Sequence, residues 1–558
     1  MLYLKLQFTM VRRIFQRGLD AIYSKQVNIF SAAFFIIITN VLYYVLGFIK
    51  WRVLIAKFGA SSEAGVFSAS FTIPDFIFQV MIGGALSSAF IPIFSEYILK
   101  NKKEEAYRFT SSLITIGITF FILLSIVIAV FAYPLSGLVA PGFSHDELLL
   151  MAALTRILLL TQVFFMLGTL VTAILQSYQH FIIPGIASSF YNLGIIIGLL
   201  LFAPTFGIYG ATFGVLLGSI LFFLVQLPLL KKIGFNFIPT FDLKNGVLRI
   251  FHLMVPRSLT LLVTQIAIMS NVFFASFISA RSLFIFNLAQ SLVMAPVVLF
   301  GQSIAQASFP SLSLKHDKKG EFLYIFLSSF TLILYLTFPV SAILAVLRIP
   351  VVRLFYGEKK LDWPATVDIG KTLAFFALCI SAQALIYILS RAYFALKDTK
   401  TPFFITLAGV VVNIVSAYYF ILVLKLQIYY LALSFSLASI FSIVLLIIFL
   451  DRKIVLPKQQ MLYEVSKIGL ATLIMGFALY IPIKLLDQLV FDTTRTINLI
   501  ILTGIASFLG IISYIFFTWL LDIKEAYFVI SVFRKFGSGK NILKQIDELI
   551  DGSTKLNS

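Results

Sequence analysis

Lys50, Arg52 and Arg257 are cations set in or beside long apolar runs, where a charge is costly unless it is paired or put to use. An anionic group cannot be drawn bare through a low-dielectric layer, and needs cations or dense hydrogen-bond donors inside a watered cavity. Lys50 and Arg52 are two positions apart, on nearly opposite faces of a helix, so both are not expected to line one cavity. The structural alternative for Lys50, Arg52 and Lys57 is that they snorkel to the headgroups; for Arg257, directly after Pro256, it is an inner-surface anchor. Gln79, Asn287 and Gln290, with Gln302 and Gln306, add amide donors. Acidic residues are almost absent from the apolar runs. Asp75, after Pro74, is the candidate for coupling an ion, with a kink-satisfying role as the alternative. Asn40, Gln162, Asn192, Gln265, Asn271, Gln383 and Asn413 are read as interhelical hydrogen-bond partners.

Catalytic chemistry has little to stand on. An intramembrane enzyme needs carboxylates, His pairs or an activated nucleophile converging on one site. The four His, at 145, 180, 252 and 316, fall in or near loops and form no metal-ligand spacing. GSGK at 537–540 is no phosphate loop, because Arg534 stands where its first Gly should be and Asn541 where Ser or Thr should be. Cys379 is the single cysteine and makes no internal disulfide. No metal, cofactor or enzymatic activity is expected.

The elements that must position these side chains are membrane helices. Apolar residues make up 60% of the 558 and charged residues only 12%, which excludes an ordinary soluble domain. With roughly 20 apolar residues needed per crossing, the chain divides into about fourteen spans. They lie near 27–49, 64–93, 109–133, 148–175, 184–203, 208–230, 251–279, 283–313, 322–347, 366–396, 402–424, 428–450, 463–486 and 496–520. The net charge of +19 does not call for nucleic acid. With both termini inside, about 29 Lys and Arg fall in cytoplasmic segments and about 12 outside, so the excess is a topological signal. Residues 1–26 read as a basic amphipathic cytoplasmic segment rather than a cleaved signal, and 521–558 as a cytoplasmic tail.

The chain also repeats itself. Pro184 and Pro402 are 218 positions apart, and the same offset relates Gly83 to Gly301, Ala89 to Ala307, Pro92 to Pro310 and Ser95 to Ser313. An offset of six spans returns the chain to the same side, so the halves are parallel. The expected fold is all-α and integral to the membrane: two six-helix lobes related by a parallel pseudo-twofold, 27–235 and 236–454, plus a helix pair at 455–520. LQSYQHFIIP (175–184) and RAYFALKDTKTP (391–402) become equivalent turns between the fourth and fifth helices of each lobe. Arg391, Lys397, Asp398 and Lys400 are expected to cluster at the inner face and bias a cytoplasmic gate, with topology signalling as the alternative. GATFGVLLG (210–218) carries two overlapping small-xxx-small motifs for close helix packing. Two such lobes suggest a transporter that opens alternately to each side.

In VLGFIKWRVLIAKFGAS (45–61), SSAFIPIFSEY (87–97), APGF (140–143), QLPLLKKIGF (226–235), TQIAIMSNVFFASF (264–277), FPSLS (309–313) and RAYFALKDTKTP, the chain resembles the MviN/MurJ family of lipid II flippases, within the multidrug/oligosaccharidyl-lipid/polysaccharide exporter superfamily. The resemblance spans essentially the whole chain. It implies a bacterial cytoplasmic-membrane protein that moves an undecaprenyl-pyrophosphate-linked cell-wall precursor from the inner to the outer leaflet. It also implies a last helix pair grooved for the polyprenyl tail, membrane lipids as neighbours, and cell-wall synthesis or division proteins as candidate partners.

Several positions depart from the family pattern: Tyr44, Lys50 and Trp51 stand at the usual Arg, Arg and Asp, Phe78 and Gln79 at an Arg pair, Gly83 at a Glu, and Gln290 at an Arg. Lys50 is thereby the counterpart of a family arginine and the favoured substrate cation. The departures leave rivals open: another exporter of the same superfamily, either a polysaccharide-lipid flippase or a cation-coupled drug or ion antiporter, and a scaffold that has lost transport.

Overall fold

The computed structural model describes residues 29–83, 90–242, 247–489 and 496–527, and every regular element among them is helical. The amphipathic segment expected at 1–26 and the tail beyond 527 lie outside the described residues. In chain order the helices are α1 (Ile29–Phe58), α2 (Ser62–Met81), α3 (Lys103–Val130), α4 (His145–Ser177), α5 (Ile182–Phe206), α6 (Ile208–Ile233) and α7 (Val247–Ser276). They continue with α8 (Ala280–Leu314), α9 (Lys319–Val346), α10 (the bent pair Trp363–Ala377 and Ile380–Ala395), α11 (Lys400–Val423), α12 (Tyr429–Asp451), α13 (Lys458–Leu489) and α14 (Thr496–Leu520). Eleven are long and apolar enough to cross a membrane, and the bent pair α10 makes a twelfth. α1 and α7 occupy the places of the first and seventh sequence spans.

The repeat is written into the packing. α1 packs on α5 as α7 does on α11, α2 on α4 as α8 on α10, α4 on α6 as α10 on α12, and α5 on α6 as α11 on α12. Even the irregularities match. A π-turn, which inserts a residue into the helical ladder, occurs at Gln79–Gly83 and again at Val297–Gln302, and a second pair occurs at Gly198–Phe202 and Tyr418–Val423.

Small residues set the closest approach between helices. A Cβ on Gly194 would overlap the backbone of Gly218, and one on Gly198 the backbone of Gly214, so the 210–218 motif lets α5 and α6 meet main chain to main chain. α13 and α14 pack on each other and against α9, where the Tyr514 hydroxyl donates to the Tyr335 carbonyl at 2.7 Å. Their outward faces carry Leu473, Phe477, Ile481 and Phe508, all well exposed as lipid contact requires.

The two turns flagged by the repeat are the same turn. Gln179 and Lys397 both adopt left-handed backbone, with φ of 65° and 59°, and the following amides of His180 and Asp398 reach back to the carbonyls of Leu175 and Tyr393. In the second copy the Asp398 carboxylate accepts from the amides of Lys400 and Thr401, each at 3.0 Å, and so caps α11. The Lys453 ammonium lies 2.8 Å from its other oxygen. Burial works to raise this carboxyl, but Lys453 and the hydrogen bonds from Thr401 outweigh it and hold it down at about 2. The Arg391 guanidinium stands 5.1 Å from the centre of the Phe309 ring on α8. Of the four residues expected to cluster here, Asp398 holds the turn and pairs with Lys453, a residue 55 positions further along the chain.

Candidate functional site

Helices α1, α2 and α5 of the first half and α8 of the second surround a cavity of about 350 Å³. Lys50 and Trp51 enter from α1, Ser68 and Phe71 from α2, Tyr191 from α5, and Asn287, Gln290 and Ser291 from α8. Three of the substrate candidates, Lys50, Asn287 and Gln290, thus meet in one space although 237 positions separate the first two. The spacing of Asn287, Gln290, Ser291 and Met294 along α8 is the i, i+3, i+4, i+7 pattern that puts all four on one helical face. Lys50 is half-buried, and its ammonium stands 4.8 Å from the centre of the Trp51 ring. No carboxylate pairs with Lys50 among the described residues. Ser291 is held by the Tyr356 hydroxyl at 2.6 Å, and Tyr356 also donates to the Leu288 carbonyl at 3.1 Å, which fixes the α8 wall.

The cavity lining combines an ammonium, two side-chain amides and three hydroxyls with the apolar side chains of Leu54, Phe67, Phe71, Ile195, Leu199 and Met294. Such a surface suits an anionic, hydrogen-bonding headgroup with an apolar neighbour. Its volume is at the small end for a ligand site, so a large headgroup requires the lobes to part.

One end of the cavity is sealed. At the end of the bundle carrying the α1–α2 and α7–α8 turns, α2 packs on α8 so closely that a Cβ on Gly65 would overlap the Ala280 carbonyl. The Gly142 amide donates to Ser276 Oγ at 3.1 Å, and the Trp51 and Phe284 rings meet edge to face, 5.9 Å apart. Arg52 belongs to this closure and not to the cavity: its Nε donates to Glu358 Oε1 at 2.6 Å, and Lys360 reaches the Lys57 carbonyl. Its expected place among the substrate residues is corrected for the reason the two-residue spacing implies. Lys50 faces inward, so Arg52 faces the rim, where a carboxylate meets it.

The remaining candidates lie elsewhere. Gln79 opens the π-turn of α2 and is half-buried, away from the cavity lining. Arg257 falls in α7, and its side chain lies outside the described residues. Asp75 lies inside the first lobe, where Gln162 Nε2 donates to its Oδ1 at 2.7 Å, and it is in electrostatic reach of Tyr43 and of the cavity residue Tyr191. Gln162 is thus an interhelical partner, as are Asn192, which donates to the Tyr43 carbonyl at 3.1 Å, and Asn413, which donates to Asn271 at 3.1 Å. Sequence reasoning missed Trp51, Tyr191 and Ser291 as lining residues and Gly65 and Glu358 as closing residues. Only the phase of α8, read forward from Asn287, carried a local signal, and it pointed to Ser291.

Two pseudo-equivalent six-helix lobes around a central cavity, with a helix pair appended, define a polytopic transporter of the exporter superfamily fold. The chain belongs to the family described as Lipid II flippase MurJ, whose model matches residues 54–498. It is 29% identical over 489 residues to the probable lipid II flippase MurJ of Buchnera aphidicola subsp. Acyrthosiphon pisum, covering 86% of this chain and 95% of that one. Among solved structures it is similar to a lipid II flippase MurJ in an inward closed conformation, with a TM-score of 0.74 and 26% identity over 87% of this chain and 98% of the other. An inward-facing multidrug resistance MATE family transporter shares the fold at a TM-score of 0.62 and 15% identity, over 74% of this chain and 94% of its own. The chain is a multi-pass bacterial membrane protein.

Proposed function

We propose that this chain flips lipid II, an undecaprenyl-pyrophosphate-linked cell-wall precursor, from the inner to the outer leaflet of the cytoplasmic membrane by alternating access. The observation that carries the reading is the meeting of Lys50 with Asn287 and Gln290, one lobe facing the other, in a cavity sealed where α2 meets α8. Lys50 neutralises pyrophosphate charge, the amides bind its oxygens and the attached sugar, and rocking of the lobes exchanges the sealed end. The polyprenyl tail stays in lipid along the exposed apolar face of α13 and α14. Asp75 is the ion-coupling candidate, because it is a carboxylate within the first lobe and close to a cavity residue.

Native mass spectrometry of the purified protein with lipid II tests the substrate. Saturable binding that a soluble organic cation does not displace is expected; displacement by the cation, or no binding at all, would return the antiporter or scaffold readings.

In this reading both termini are cytoplasmic and the sealed end faces outward, in line with the distribution of Lys and Arg. Cysteines introduced at Lys318 and Lys400 are then expected to be shielded from an impermeant external reagent, while one at Asp146 is labelled. The reverse pattern would sink the orientation.

A further inference from the structure

At the sealed end, a short helix, Arg348–Tyr356, lies between α1 and α14 and walls a second cavity of about 500 Å³ against the C-terminal pair. Arg348 and Arg353 give it two guanidinium groups, Trp363 and Tyr480 two exposed aromatic rings, and Ile483 and Leu502 an apolar floor. Among the described residues no carboxylate lines it; the nearby acids Glu358 and Asp362 are engaged by Arg52 and Arg281. Arg348 makes one hydrogen bond among the described residues, from Nη1 to the Ala345 carbonyl at 3.4 Å, so most of its five donors stay open. The cavity shares no lining residue with the central one.

We infer that this cavity holds the phosphate of an anionic glycerophospholipid of the outer leaflet, with the acyl chains running down α13 and α14; the leaflet, though not the binding, rests on the orientation proposed above. Paired guanidinium groups match phosphate oxygens in a planar, bidentate way, and Trp and Tyr mark the depth of the headgroups. Arg348, Arg353, Lys359 and Lys360 crowd one outer connection against the topological bias of basic residues, a cost that a bound anion offsets. Free phosphate would gain nothing from the rings and the apolar floor. The transported precursor, with its sugar-bearing headgroup, needs a space that widens as the lobes part, whereas this cavity is lined by the second half and the C-terminal pair alone.

The test compares binding of phosphatidylglycerol and phosphatidylcholine to the full chain in detergent by native mass spectrometry. Wild type is expected to favour phosphatidylglycerol by about tenfold, the worth of one or two charge-assisted hydrogen bonds. Arg348→Gln with Arg353→Gln removes that preference. Lys359→Gln, on the same connection but outside the cavity, keeps it, and Leu502→Trp, which fills the floor without changing charge, also abolishes it. Equal loss from Lys359→Gln, or no loss from Leu502→Trp, would reduce the effect to general surface attraction and overturn the site. Displacement of phosphatidylglycerol by undecaprenyl pyrophosphate at equal concentration would hand the cavity to the transported lipid and overturn the assignment. An introduced cysteine at Lys359 reports the leaflet separately: shielding from external reagent, with lipid preference intact, would refute the orientation and leave the site.

Discussion

Lys50→Ala is expected to abolish complementation of flippase-depleted cells and to weaken lipid II binding by at least about tenfold, while Lys50→Arg keeps both. Among the described residues Lys50 is the one cation lining the central cavity, so alanine leaves the pyrophosphate with the amides and hydroxyls of that lining. A charge-assisted hydrogen bond is roughly twice as strong as a neutral one, and an anion in a low-dielectric space has no water to replace it. Arginine restores the charge, and the neighbouring Trp51 face accepts a guanidinium as readily as an ammonium. Lys57→Ala is the control, because Lys57 is outside the lining and contributes its carbonyl, not its ammonium, to Lys360. Complementation scores transport, and titration with lipid II scores binding. Equal lipid II affinity for wild type and Lys50→Ala would remove Lys50 from the site.

The second large effect belongs to Gly65. Its replacement by alanine puts a methyl group into the Ala280 carbonyl, which is backbone on both sides and has no flexible side chain to give way. The helices α2 and α8 then cannot close, and the sealed end is expected to stay open in most molecules, with transport falling to near background because the cycle needs both states. Spin labels at Ser62 and Lys359, on opposite lobes, would report a longer distance for Gly65→Ala than for wild type. Arg52→Gln removes an exposed ion pair, whose typical worth is about 0–1 kcal/mol, and should shift the same distance distribution far less. An unchanged distance in Gly65→Ala would show that the lobes meet elsewhere.

Much of the architecture could be read ahead because the bilayer imposes it. A crossing needs a run of about 20 apolar residues, so spans such as 208–230 and 402–424 fall within a few residues of α6 and α11. The 218-residue offset carried the lobe symmetry, and the structure extends it to π-turns that leave no mark in composition. The site was legible where helical phase decides the outcome, as with Lys50 against Arg52 and Asn287 with Gln290. It was not legible where the partner is remote in sequence. Nothing around Arg52 points to Glu358, and nothing around Asp398 points to Lys453; each pairing exists only once the lobes or helix ends are assembled.

The surplus residue of a π-turn has a mechanical meaning. A π-turn is an inserted residue stored in a helix without unfolding it, and it can migrate along the helix as neighbouring hydrogen bonds exchange. Each step of migration turns the stretch it passes by about 100°, the angle of one residue at 3.6 per turn. On α8 the turn Val297–Gln302 begins three positions beyond Met294, the last cavity-lining residue of that helix. A shift of the turn by three positions toward the cavity reaches Met294, and one of seven passes Ser291 and Gln290, swinging them off the lining while the distal half of α8 keeps its place. The binding surface can be redealt within one helix, with neither lobe moving as a whole.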